Sequence, residues 1–249
     1  GNLVNTATNS VTISLASNPS GGLLGGTLTA AAVAGVATFS NLTIDRAGTG
    51  YALGAAGAGL TGVTSAAFNV TAGAATRLAF LTQPTTTTAG AALSPAVQVE
   101  ILDAVGNRVT TATSTVTIAI GTNPGGSTLG GTASVSAVAG VATFAGVSLN
   151  RTGTGYTLDA TSGALTPATS AAFDITPGAP AVLAIAQQPT GTSVGATIAP
   201  PVTVRIQDAS GNLTASTATV SLAFGANPGS ATLGGTVSRA AVAGVATFN

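Results

Sequence analysis

A short unit recurs along this chain at a fixed period, and that recurrence constrains the fold more than any single residue does. Gly140-Val141-Ala142-Thr143-Phe144 runs on to Leu149-Asn150-Arg151-Thr152-Gly153-Thr154-Gly155-Tyr156. It stands earlier as 35–39 running on to 44–51, and it begins again at 244–248. The first two copies lie 105 residues apart and the next 104. A fixed period of this size marks an array of similar domains, each long enough to close its own core. The period divides the chain into a complete repeat at 74–178 and two partial ones. Residues 1–73 lack the first two strands of a repeat, and residues 179–249 lack the last two. Residues 211–249 duplicate what 1–40 supply, so the two ends cannot simply complete one domain together. The chain therefore reads as a window onto a longer array, in which neighbouring chain or another molecule completes each half-domain.

Within the repeat the apolar residues alternate. In 95–101, Val97, Val99 and Ile101 take one face while Gln98 and Glu100 take the other, the period-two pattern of a half-buried strand. The later copy, 202–206, keeps the inward set and replaces Glu100 by Arg205, as a solvated face allows. Further strands are expected at 75–81, at 116–120 with copies at 11–15 and 220–224, at 156–160 and at 171–175. A less regular edge strand is expected around 129–137. Ala142 and Phe144 share one parity and Val147 and Leu149 the other, which predicts a bulge near 145–146 and 40–41. Pro, Gly and Asn punctuate these runs, as at 83–84, 103–107 and 123–126. About seven strands in roughly 100 residues with turn signals throughout predicts an all-β chain of tandem immunoglobulin-like β-sandwiches. Tyr51 and Tyr156, just after a Gly-Thr-Gly corner, fit a tyrosine corner whose phenol bonds back to upstream backbone. Phe39, Phe80, Phe144, Phe173 and Tyr156 fall at inward positions, and Phe68 is counted with them as a structural residue. The junction 176–180 carries two prolines and is expected to be stiffer than 71–74, which has none.

The units at 97–107, 140–144 and 153–156 resemble bacterial immunoglobulin-like tandem repeats, such as those of invasin- and intimin-type adhesin stalks. The resemblance covers the whole chain. It implies an extracellular, spacer-like segment at a bacterial surface and names no ligand.

Composition argues against most chemistry. The chain has no His, Lys, Cys, Met or Trp, and only six arginines against six acids. It therefore lacks the general base, thiolate and Schiff-base amine on which most catalytic sites rest, and its abundant Ser and Thr have no base to activate them. The acids sit at turns (Asp103, Asp208) or at outward strand positions (Glu100, Asp159), which does not suit a carboxylate pair. Isopeptide cross-links need a lysine. Charged residues make up 5% of the chain, so it lacks the basic footprint of a nucleic-acid binder and resists lateral association little. Its longest apolar stretches fall short of the roughly 20 residues a membrane helix needs. No cofactor is expected.

Four oxygen-bearing residues invite a calcium reading. Asp103 and Asn107, with Asp208 and Asn212, offer hard ligands near domain junctions. One carboxylate per turn is thin for calcium, and a turn capped by its own Asp is the preferred account. Asn41, Asn69, Asn150 and Asn212 begin Asn-X-Ser/Thr sequons, which chance explains in a chain this rich in Asn and Thr, and the threonines at 85–88 and 110–111 offer hydroxyls for O-glycans but read as solvated surface. Arg46 and Arg151 follow the bulged strand, either touching an adjacent domain or bonding within their own corner loop. The chain is thus expected to be a structural fibre or stalk segment whose partner is itself. The rival, an adhesin or carbohydrate-binding module, needs exposed aromatic side chains.

Overall fold

The computed structural model describes residues 2–249 and is all-β, with no helix among them. The pattern is clearest in the central stretch. One sheet there has the order Val141–Phe144, Val97–Leu102, Arg77–Thr82. A second has the order Ser134–Ser136, Thr115–Ile120, Leu158–Thr161, Ala168–Thr169. All these pairings are antiparallel, and Val97 opposes Phe144 while Val99 opposes Ala142. The inward residues of both sheets meet in a single cluster that includes Val97, Val99, Ile101, Val116, Ile118, Phe144 and Leu158. Alternation fixes this outcome, because a one-residue slip would turn every one of these side chains to solvent.

Glu100 faces outward and pairs with Arg108 at 2.8 Å. One period on, Arg205 replaces Glu100 and Leu213 replaces Arg108, so two arginines never face each other.

Several elements differ from their sequence reading. Twelve short strand segments lie between Arg77 and Thr176, against about seven expected. The extra count arises because strands break where the chain changes sheet. The parity switch after Phe144 is a turn at 145–146 with Gly146 at φ +74°, not a bulge within one strand. Past it, Ser148–Leu149 pairs with Leu129–Gly130 in another sheet. The expected strand at 156–160 is likewise divided: Gly153–Tyr156 pairs with Phe173–Thr176, and Leu158–Thr161 with Thr115–Ile120. Residues 220–224 yield only Thr219–Ser221, and Phe224 is exposed.

The phenylalanines divide too. Phe144 and Phe173 are buried, but Phe39 is only half-buried and Phe68 is 36% exposed, against 4% for its counterpart Phe173. Both lie in the stretch 2–73, where no strand equivalent to Val97–Leu102 stands opposite them. Parity chooses a face, and burial also needs a facing sheet.

A tight hairpin turn recurs at each copy of the opening unit. Val138 and Val141 exchange both backbone hydrogen bonds, at 2.9 and 3.0 Å, across Ala139 (φ 49°) and Gly140 (φ 76°). Ala34 and Ala243 repeat the positive φ, at 50° and 47°. A turn with both central residues left-handed matches the twist of the flanking strands and favours Asn-Gly, so alanine here carries strain.

Two outcomes follow from this packing. Phe144→Ala is expected to cost about 3–5 kcal/mol, and Phe68→Ala about 1 kcal/mol or less, by urea denaturation of the whole chain. Ala139→Asn is expected to raise stability by about 0.5–1 kcal/mol in the same assay, because Asn adopts the left-handed conformation readily.

Candidate functional site

The turn at 103–107 is a polar cluster that joins two repeats. Asp103 is buried, and its Oδ1 accepts from the backbone N–H groups of Val105 (3.1 Å), Gly106 (2.8 Å) and Asn107 (2.8 Å). Its Oδ2 accepts from the Gly73 N–H at 2.9 Å and from Asn107 Nδ2 at 3.0 Å. Gly73 lies in the linker before the first strand of this repeat, so the carboxylate ties linker to turn. The Asn107 side chain, half-buried, then reaches back to the preceding repeat. Its Oδ1 accepts from the Ala47 N–H at 3.0 Å, and its Nδ2 donates to Asp45 O at 3.0 Å.

The arrangement recurs one period on. Asp208 Oδ2 accepts from the Gly178 N–H at 2.9 Å, and Oδ1 from the backbone N–H groups of Ser210 and Asn212, each at 2.9 Å. Asn212 Oδ1 accepts from Thr152 N–H at 3.2 Å, and its Nδ2 donates to Asn150 O at 2.9 Å. Each partner stands 105 residues from its counterpart: 45 and 150, 47 and 152, 73 and 178, 103 and 208, 107 and 212. The proline-containing and proline-free junctions are therefore held by the same contacts.

The corner loop gripped by each Asn is itself braced from inside. Tyr51 Oη donates to Arg46 O at 2.9 Å and Tyr156 Oη to Arg151 O at 2.8 Å, and both tyrosines are fully buried. Each phenol also leans on a phenylalanine, with ring centroids 6.2 Å apart for Tyr51–Phe68 and 6.1 Å for Tyr156–Phe173. The hydrogen bonds of Arg46 and Arg151 thus follow the corner-loop reading. Their carbonyls bond within the corner, while the residues beside them bond to the adjacent repeat.

Electrostatics follow from this geometry. Burial pushes the Asp103 carboxyl up, but the Asn107 side chain and the N–H groups of Gly73, Asn107 and Gly106 outweigh it and hold the pKa at about 2. Asp208 is opposed by burial in the same way, and Asn212, Gly178 and Ser210 bring it below its ordinary value. Asp103, Asn107, Asp208 and Asn212 are the four weighed as calcium ligands. In each turn the carboxylate oxygens face N–H donors, which a cation would have to displace, and among the described residues no three acids gather in one place. Asn212 Nδ2 donates to Asn150 O and to both Asp208 oxygens, so this sequon nitrogen is committed. The period of the Asp-Gly-Asn turns was visible in the sequence; the role of Asn107 and Asn212 as bridges to the preceding repeat was not, since the partners are backbone groups of a loop some 60 residues upstream.

A folded pKa below the unfolded value favours the folded state above the ordinary 3.8, and that contribution is lost as pH falls through about 2. The urea midpoint is expected to fall between pH 4 and 2, and Asp103→Asn is expected to lower the midpoint at pH 6 and flatten this part of the profile.

No protein-family model matches the sequence, and no curated protein matches it. Solved structures with some likeness include a β-glycosidase from Bacteroides vulgatus, with a TM-score of 0.35, 13% identity, and coverage of 65% of this chain and 21% of that one. Another is surface layer protein SbsC, domains 4–9, with a TM-score of 0.31, 18% identity, and coverage of 100% and 36%. A structure of domains 1–6 of the same protein gives 0.29, 16%, 86% and 25%. The chain spans about a fifth of the first of these structures and about a third of the second. At these values the likeness assigns neither fold nor activity to this chain.

Proposed function

We propose that this chain is a structural segment of an extracellular bacterial fibre or cell-surface stalk. It is a non-catalytic array of immunoglobulin-like sandwiches, one complete at 74–178 and partial at 1–73 and 179–249, that associates with further copies of itself. The observation that carries the reading is the junction, in which Asp and Asn bond linker, turn and preceding corner loop in the same way at both places. Equal junctions repeat one rotation from unit to unit, which is what a rod of fixed twist requires. Composition supports the same reading, since a chain without His, Cys or Lys gains length and cohesion more readily than catalysis. The low surface charge leaves side-by-side packing little opposed.

Electron microscopy of a chain of four complete repeats tests this. Ordered fibres thicker than one domain, unchanged in EDTA, are expected. Replacing each junction Asn by Ala should turn straight rods into kinked strings of beads. Separate thin rods at every concentration would remove the self-association, and slackening in EDTA alone would favour calcium at the turns.

A further inference from the structure

The repeat at 74–178 is entered and left through segments that its own hydrogen bonds tie together. At the entry, the Gly73 N–H donates to Asp103 Oδ2 at 2.9 Å and the Thr76 N–H to Leu102 O at 2.8 Å. Arg77–Thr82 then runs antiparallel to Val97–Leu102, and residues 83–86 carry the chain into a different sheet. There Thr87–Thr88 lies parallel to Phe173–Thr176, the last strand of the repeat, with Thr87 opposite Ile175 and Thr88 opposite Thr176.

Side chains and backbone reinforce this short pair. The Ala89 N–H donates to Thr176 O at 2.8 Å, and Thr176 Oγ1 donates to Thr87 O at 3.3 Å. The Asp174 N–H donates to Thr86 Oγ1 at 3.3 Å, and the Ala171 N–H to Gln83 Oε1 at 2.9 Å. Just beyond, the N–H groups of Gly90 and Leu93 donate to Leu149 O and Val147 O, each at 2.7 Å, and Leu93 is buried in the core. Residues 86–89 are therefore anchored on both sides.

Parallel pairing has a mechanical consequence. Both strands point toward the exit of the repeat at Pro177. Tension leaving through Pro177 draws Phe173–Thr176 forward along its own axis. Tension at Gly73 holds Thr87–Thr88 back through the strand before it. The bonds between them then lie across the pull and must give way together, whereas bonds peeled from one end give way singly. We propose that residues 86–89 and Phe173–Thr176 form a clamp that keeps the repeat folded under tension along the array. The pairs Arg77–Thr82 with Val97–Leu102 and Gly153–Tyr156 with Phe173–Thr176 are sheared in the same pull, so neither end offers a strand that peels first. The clamp rests on the stalk reading for the source of the tension, and it adds where the resistance resides.

The test is single-molecule force spectroscopy of the whole 249-residue chain, whose lack of cysteine lets paired substitutions place the handles. Through Thr71→Cys and Ala179→Cys the pull enters and leaves as it would along the array. Through Ala92→Cys and Ala179→Cys it starts at one end of the parallel pair and opens the bonds in turn. The axial pull is expected to need a severalfold higher force. It should yield in a single step, lengthening the chain by roughly 3.3–3.6 Å per residue between the handles, less their folded separation. Ala89→Pro deletes the donor to Thr176 O, and Thr86→Val deletes the acceptor for the Asp174 N–H. Both are expected to lower the axial force more than Phe144→Ala does, although Phe144→Ala costs more in urea. Forced unfolding follows the barrier along the pull, and the urea midpoint follows the equilibrium. Equal forces in the two directions, or an axial force that simply tracks the urea midpoints of these variants, overturns the clamp. That result with fibres still seen by microscopy leaves the proposed function standing. A strong axial step in a chain that forms no fibres keeps the clamp and removes the function.

Discussion

A sheet in this chain is held by what stands opposite it, and the repeated unit Gly-Val-Ala-Thr-Phe shows this within one molecule. At Val141–Phe144 it is a strand, hydrogen-bonded to Val97–Leu102, and its Phe is fully buried. At Val245–Phe248 it is again a strand, paired with Val202–Gln207, and its Phe is again buried. At 36–39 the sequence is the same, but no strand forms and Phe39 is half-buried. Local propensity is equal in all three. The difference lies in the ladder partner and the apolar face it carries, which is why β-propensity is a statement about packing more than about backbone preference.

The junctions obey a different physics. The bonds between the turn, the linker and the upstream corner loop are polar, and a buried polar group is tolerated only when its bonds are made. The Asp carboxylate meets this condition with N–H donors drawn from its own turn and from the linker. Held in that way, it fixes the Asn beside it. The Asn amide is then presented to the preceding corner loop with its acceptor and its donor each aimed at a backbone group. The buried tyrosine stiffens that loop from the other side. Corner, Asn, Asp and linker form one connected path of hydrogen bonds.

Alternation identified the inward set at Val97, Val99 and Ile101 from sequence alone, because the period of side-chain direction is a property of the strand itself. The tyrosine corner was legible for a similar reason, being defined by a local spacing. What sequence did not show was where strands change sheets. The turn after Phe144 and the division at Thr157 depend on which partner the chain meets next, and that is non-local. The junction was half legible. The Asp-Gly-Asn turn could be read as self-capped, but Asn107 bonds to residues 60 and 62 positions away, and no periodicity reports such a pairing.

The scarcity of charge fits these constraints as a whole. On one strand face a charge meets its opposite locally, Glu100 with Arg108. When the next copy changes the sign at that place, the partner becomes Leu213 and the pair disappears without leaving like charges face to face. Exposed ion pairs add little stability, so little is lost by the exchange. The buried Asp103 and Asp208 behave oppositely. They have no cationic partner to lose, their charge is met by oriented N–H groups, and both recur unchanged. Surface charge in this array varies between copies, whereas the charge that orders the junction does not, and that contrast separates residues that decorate a repeat from residues that connect it.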